Sequence, residues 1–182
     1  MSDYSQSSYA QTAQPGYPGT PQHGGGAQAA PSKKFAILGI VGSLIALVGS
    51  LVNWIVSGKD TADGGVKGMD GDGVITLIIA LVATVLFLIT LARRKGPLYL
   101  GGGLLGVAAA IVAGINMADP ARLLAQKMED EGAPADAAEK AAGQMVDQLD
   151  ITAGPGIYMV LIGGLLALAM GVLGFMKSRN SN

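Results

Sequence analysis

Hydrophobic positions gather into four long uncharged runs, and the charges lie between them. The runs occupy residues 35–57 (FAILGIVGSLIALVGSLVNWIVS), 73–92 (GVITLIIALVATVLFLITLA), 98–118 (LYLGGGLLGVAAAIVAGINMA) and 156–176 (GIYMVLIGGLLALAMGVLGFM). Taken as a helix, the first extends roughly 34 Å, enough for a hydrocarbon layer of about 30 Å. The runs lack the polar alternation and turn residues of a soluble sheet. β-branched clusters such as Ile75-Thr76-Leu77-Ile78-Ile79 do not argue for strand, because a membrane helix satisfies its own backbone groups. The pattern therefore predicts an all-α fold, a transmembrane four-helix bundle within a membrane domain over residues 33–177.

Two stretches between the runs form loops on one side, residues 58–72 and 119–155. The second loop carries its own helical pattern. Asp119-Pro120 reads as an N-cap and first helical residue, opening a helix that closes at Gly132. Pro134 opens another, in which Ala138, Ala141, Ala142, Met145 and Leu149 share one face. Both are expected to be short amphipathic helices lying over the ends of the spans. Residues 1–32 are rich in Ser, Gln, Tyr, Gly, Pro and Ala and hold no Leu, Ile, Val or Phe. Such a segment buries too little to offset its chain entropy, so a disordered tail is expected. Residues 178–182 form a short second tail.

Charge orients the bundle. Lys33, Lys34, Arg93, Arg94, Lys95, Lys177 and Arg179 flank the spans on one side, close to their ends. Lys59, Lys67, Arg122, Lys127 and Lys140 are spread through the longer loops of the other. By the positive-inside rule the first side, with both termini, is cytosolic. The expectation is a multi-pass protein of the plasma (inner) membrane. Of 13 acids, only Asp3 falls on the cytosolic side, which agrees. Trp54 and Tyr158 are expected near the outer interface, and Phe35 and Tyr99 near the inner one. The chain has no cysteine, and its net charge of −1 provides no basic footprint for nucleic acid.

The clearest motif is small residues at four-residue spacing: Gly42, Ala46 and Ser50 in the first span; Gly102, Gly106, Ala110 and Gly114 in the third; Gly163, Ala167 and Gly171 in the fourth. Such stripes let membrane helices approach closely, here within the bundle or between copies of the chain. The second span carries no such stripe and is expected to face lipid more broadly. Asp70-Gly71-Asp72-Gly73 offers two weak candidate ligands for a divalent ion, Asp70 and Asp72, beside the simpler reading of a flexible turn in which Asp72 caps the second span. Gly154-Pro155-Gly156 reads as a break and a helix start. Asn53 and Asn116, the only amides in the spans, are expected to bond to each other or to a cap.

The runs hold no Asp, Glu, Lys, Arg or His, which argues against proton relays, ion-coupled transport and acid–base chemistry within the membrane. His23, the sole histidine, sits among glycines of the tail. Glu129, Asp130 and Glu131 read as a solvated helix end, and no nucleotide-binding, zinc-protease or nucleophile motif occurs. No catalytic residue and no cofactor are expected.

With Trp54 near the end of the first span and a short DGDG-containing loop leading into the second, residues 35–176 resemble four-span membrane proteins of bacteria. The Gly/Pro/Gln/Tyr-rich tail resembles those of actinobacterial membrane proteins. The topology also resembles that of claudins, without their paired cysteines, so that likeness implies nothing about junctions. The expectation is a non-enzymatic scaffold or accessory subunit in the lipid bilayer, working with a membrane-protein partner or as a homo-oligomer. The alternative is a small oligomeric channel or solute-permeation protein. Tyr4, Tyr9 and Tyr17 make the tail either a recruitment element or a solubilising one.

Overall fold

The computed structural model describes residues 33–58, 65–93 and 95–180. The tail, with Tyr4, Tyr9, Tyr17 and His23, lies outside the described residues, as do Lys59 and Arg94. Among the described residues six α-helices and three short strands follow in the order α1 (Lys33–Leu51), β1 (Asn53–Ser57), β2 (Gly65–Lys67), α2 (Gly73–Arg93), α3 (Gly96–Ala118), α4 (Pro120–Asp130), α5 (Ala135–Leu149), β3 (Ile151–Ala153) and α6 (Pro155–Arg179). A single 3₁₀ turn, Gly68–Asp70, precedes α2. The helices α1, α2, α3 and α6 are long and apolar enough to cross a membrane. The fold is helical, as expected, with one addition.

That addition corrects the first run. Its helix stops at Leu51, and Asn53–Ser57 forms the central strand of an antiparallel sheet ordered β2-β1-β3. Ile55, Val56 and Ser57 pair with Ala153, Thr152 and Ile151 of β3, while Asn53, Ile55 and Val56 pair with Lys67, Val66 and Gly65 of β2. Trp54 is the extra residue between two β2 partners, a bulge that lets two successive side chains, Trp54 and Ile55, both turn inward. The indole is fully buried within the protein, and its Nε1–H donates to Gly49 O at 3.0 Å. It lies against Gly68 and Gly156; a Cβ on Gly156 would sit 2.7 Å from its Cδ1. Bulge and glycines together make room for the ring, and the sheet joins the two loops beside it.

The long helices pack around α6. A Cβ on Gly163 would lie 2.5 Å from Gly42 O and 2.6 Å from Ala46 N, and one on Gly42 would lie 2.8 Å from Ala167 N. On the flank facing α3, Gly106 and Gly164 oppose each other, a Cβ on either meeting the other's carbonyl oxygen at 2.5 Å; Ala110 adjoins Gly164. Gly171 meets Gly103 Cα at 2.7 Å by the same measure. Backbone thus faces backbone on both sides of α6. Gly114 differs from its stripe: a Cβ there would meet nothing within 4 Å.

α2 is attached differently. Phe87, fully buried, projects between Gly39 of α1 and Gly102 of α3. Two hydroxyl pairs bind it to α1, Ser50 with Thr76 and Ser43 with Thr84, each at 2.8 Å. Carbonyls of preceding turns (Ala46, Gly73, Ile40, Ala80) back these pairs. Thr76, Ala80 and Thr84 are therefore a small-residue stripe on the helix expected to have none. The buried share of α2 is still the lowest of the four, 28% against 39% for α1 and α3. Near the start of α3 the Tyr99 ring is buried against Gly174 of α6.

Over one end of the bundle lies the cap: the sheet, α4 and α5. The α4–α5 turn is a Schellman motif. Gly132 takes φ of 100°, its N–H donates to Glu129 O, and Ala133 N–H donates to Met128 O. Ala138 and Ala142 of the predicted α5 face are buried, and Met145 packs beside them with Leu123 and Leu124 of α4 over Trp54 and Ile157.

Candidate functional site

The polar chemistry of the cap centres on Asp72, at the start of α2, whose side chain is only 12% exposed. Its carboxylate receives Asn116 Nδ2 from the end of α3 at 3.0 Å, Gln126 Nε2 from α4 at 3.1 Å, and pairs with Arg122 of α4 at 3.5 Å. The expected capping of α2 falls instead to the Asp72 backbone carbonyl, which accepts Ile75 N–H and Thr76 N–H. Three helices thus meet at one carboxylate. Breaking such a pair costs more than forming it contributes, because the remaining buried group loses its partner.

Asn116 is fully buried and spends both amide hydrogens, on Asp72 and on Val112 O at 2.9 Å. Asn53 lies apart on β1. Because both carboxamides turn nitrogen towards Asp72, their oxygens are left over: Asn116 Oδ1 and Gln126 Oε1 are buried with no partner among the described residues. The second metal candidate, Asp70, accepts Lys67 N–H at 3.3 Å and faces Lys127 Nζ at 3.9 Å; its side chain is well exposed. Donors and cations of the protein face the oxygens of both aspartates, whereas an ion site presents further oxygens. Among the described residues no group of three or more His, Cys, Asp or Glu is placed to hold a metal.

Cavities open on the cap. A groove of about 660 Å³ runs between α4 and α5. Ala121, Ala125 and Glu129 line it from α4, and Ala135, Glu139 and Gly143 from α5, each set spaced by four residues. Asp119, expected to cap α4, makes no side-chain capping bond and lines the groove instead. Arg122 and Gln126, whose far ends reach Asp72, complete it. A smaller hollow of about 220 Å³ lies among Asp70, Lys127, Asp130 and Glu131. The described residues of the loops 58–72 and 119–155 hold ten acids against four bases, a net −6 on one end of the molecule.

Comparison with protein-family models, curated proteins and solved structures finds no match. The cap must be interpreted from its own geometry.

Of the residues singled out in the sequence, the structure brings Gly42, Ala46, Gly163 and Ala167 together, and it sets Gly106 and Ala110 against Gly164, which the stripe did not include. Gly102 goes to Phe87, Ser50 to Thr76, and Gly171 to Gly103. Sequence reasoning missed the Asp72 cluster, whose members lie 44 and 54 positions apart along the chain. The chemical signal was an acid just before one span and an amide near the end of the next. Arg122 and Gln126 supplied the other half, one turn apart on α4.

Proposed function

We propose that the chain is a non-enzymatic membrane subunit, a scaffold or accessory protein that crosses the plasma membrane four times and presents a preshaped acidic cap on the outer side. One observation carries the reading: α6 meets α1 and α3 at backbone contact, so the long helices fill their own centre, while the described cavities open on the cap. A cap that joins both loops through a sheet and a shared carboxylate keeps its shape before a partner arrives. Preorganisation of that kind lowers the entropy lost on association.

The seven bases beside the span ends on the termini side support the orientation. With the full chain in cells, Lys140→Cys should react with a membrane-impermeant thiol reagent and Thr20→Cys should not; the reverse pattern would invert the orientation. A photo-crosslinking residue at Asp147, exposed on α5, tests the subunit role. An adduct of one reproducible foreign protein supports the scaffold. Adducts only to a second copy move the reading to the oligomeric channel, whose pore would have to lie between copies. No adduct from any exposed cap position sinks the scaffold.

A further inference from the structure

We propose that the groove between α4 and α5 is the docking site for a cationic α-helix of a partner protein. The inference rests on the subunit reading and adds to it the place and chemistry of contact. The shape of the groove comes first. Each wall carries a row with the period of a helix, Ala121, Ala125 and Glu129 on α4 and Ala135, Glu139 and Gly143 on α5. Two of the three residues in each row are Ala or Gly, while the far ends of Arg122 and Gln126 are drawn off to Asp72. Small side chains let a third helix axis approach to about 8 Å. Gly143 leaves the trough open, since a Cβ there would meet nothing within 4 Å. A volume of about 660 Å³ takes roughly a turn and a half of a helix whose side-chain envelope is about 10 Å across.

Charge then selects the helix. Glu129 and Glu139 stand on opposite walls with Asp119 in the same lining, and none of the three forms an ion pair with another described residue. The one cation of the groove, Arg122, lies 3.5 Å from Asp72, which offsets it. Lys or Arg residues three or four apart on an incoming helix can face both walls at once. Other occupants fit less well. A second copy would bring a cap whose described residues carry a net −6 against one of the same sign, and residues 1–32 contain no Lys or Arg. Anionic headgroups would be repelled.

The test uses the full chain in nanodiscs of zwitterionic lipid. The probe is a labelled Ala/Lys peptide of about 18 residues, long enough to be helical. Its controls are a proline-interrupted peptide of the same charge and an Ala/Glu helix. The Ala/Lys helix should bind and the controls should not. Gly143→Leu, which fills the trough without altering charge, should weaken binding about tenfold, and so should Glu129→Gln with Glu139→Gln. Asp136→Asn with Asp147→Asn removes the same charge outside the groove and should change affinity by less than about twofold. Ala135→Leu, at an exposed position, fills the same trough should Gly143→Leu disturb the hairpin. Equal binding of the proline-interrupted peptide, or binding indifferent to both filling substitutions, reduces the effect to general attraction and overturns the groove. The two readings fail separately. Partner adducts unchanged by Gly143→Leu remove the groove and leave the scaffold; no adducts in the unsubstituted chain remove the scaffold.

Discussion

The interfaces on either side of α6 and the attachment of α2 solve one problem by different means. Along the middle of α6 the neighbours are main-chain atoms: Gly42, Gly106, Gly163 and Gly164 stand where a Cβ would come within 2.8 Å of a carbonyl oxygen, and only towards one end does a ring, Tyr99, meet Gly174. Against α2 the neighbours are side chains, a phenylalanine ring and two pairs of hydroxyls. Apolar helices in an apolar medium gain little from burial alone, so they associate through close packing or hydrogen bonds. The two solutions differ in what they tolerate. A side-chain neighbour can be shortened to make space, but a main-chain neighbour cannot.

Phe87→Ala should have the largest effect. It leaves a hole between Gly39 and Gly102 and should cost about 3–5 kcal/mol in a reversible unfolding assay in detergent. Gly102→Leu alone should also destabilise, because its Cβ would lie 2.8 Å from the ring. The double variant should be more stable than either single one, and if it is worse than both, the ring is not what fills this site. Gly163→Leu comes next, at about 3 kcal/mol, near the upper end of overpacking costs. No truncation of a side chain on α1 should rescue it, since Gly42 O and Ala46 N are the atoms in the way. Rescue by a truncation there would erase the distinction between the two regions.

The hydroxyl rungs should contribute less. A double-mutant cycle on Ser50→Ala and Thr76→Val should give a coupling of about 0.6 kcal/mol, the average for such bonds between membrane helices. A coupling indistinguishable from zero would leave Phe87 as the main tie of α2. The smallest effect belongs to Gly114→Leu. With open space at that position the change should stay within about 0.5 kcal/mol, or stabilise slightly through better helix propensity. A large loss there would show the site covered by something outside this chain.

The long helices were legible in the sequence because length and lack of charge are local properties. The same holds for α4 and α5, where Asp119-Pro120, Gly132 and Pro134 mark the ends within a residue or two. The strand was not legible. Residues 52–57 are as free of charge as the helix before them, and a short apolar run reads equally as helix or buried strand until its partners are known. Those partners, Val66 and Ala153, come from both loops. The Asp72 cluster was hidden for the same reason. The stripe Thr76, Ala80 and Thr84 was overlooked because threonine was not counted as small, although its hydroxyl is what bonds to α1.

The place of α6 in the chain has a consequence for how the molecule is made. α1 leaves the ribosome first and α6 last, yet α6 is the helix on which both α1 and α3 close, and β1 waits for β3 to complete its sheet. Until residues 155–179 have been translated, the glycine faces of α1 and α3 have no mate, while α2, held through α1 and α3, can dock early. Assembly is therefore gated by the synthesis of α6, and the bundle without it is the form most open to mispairing or capture by quality-control proteases.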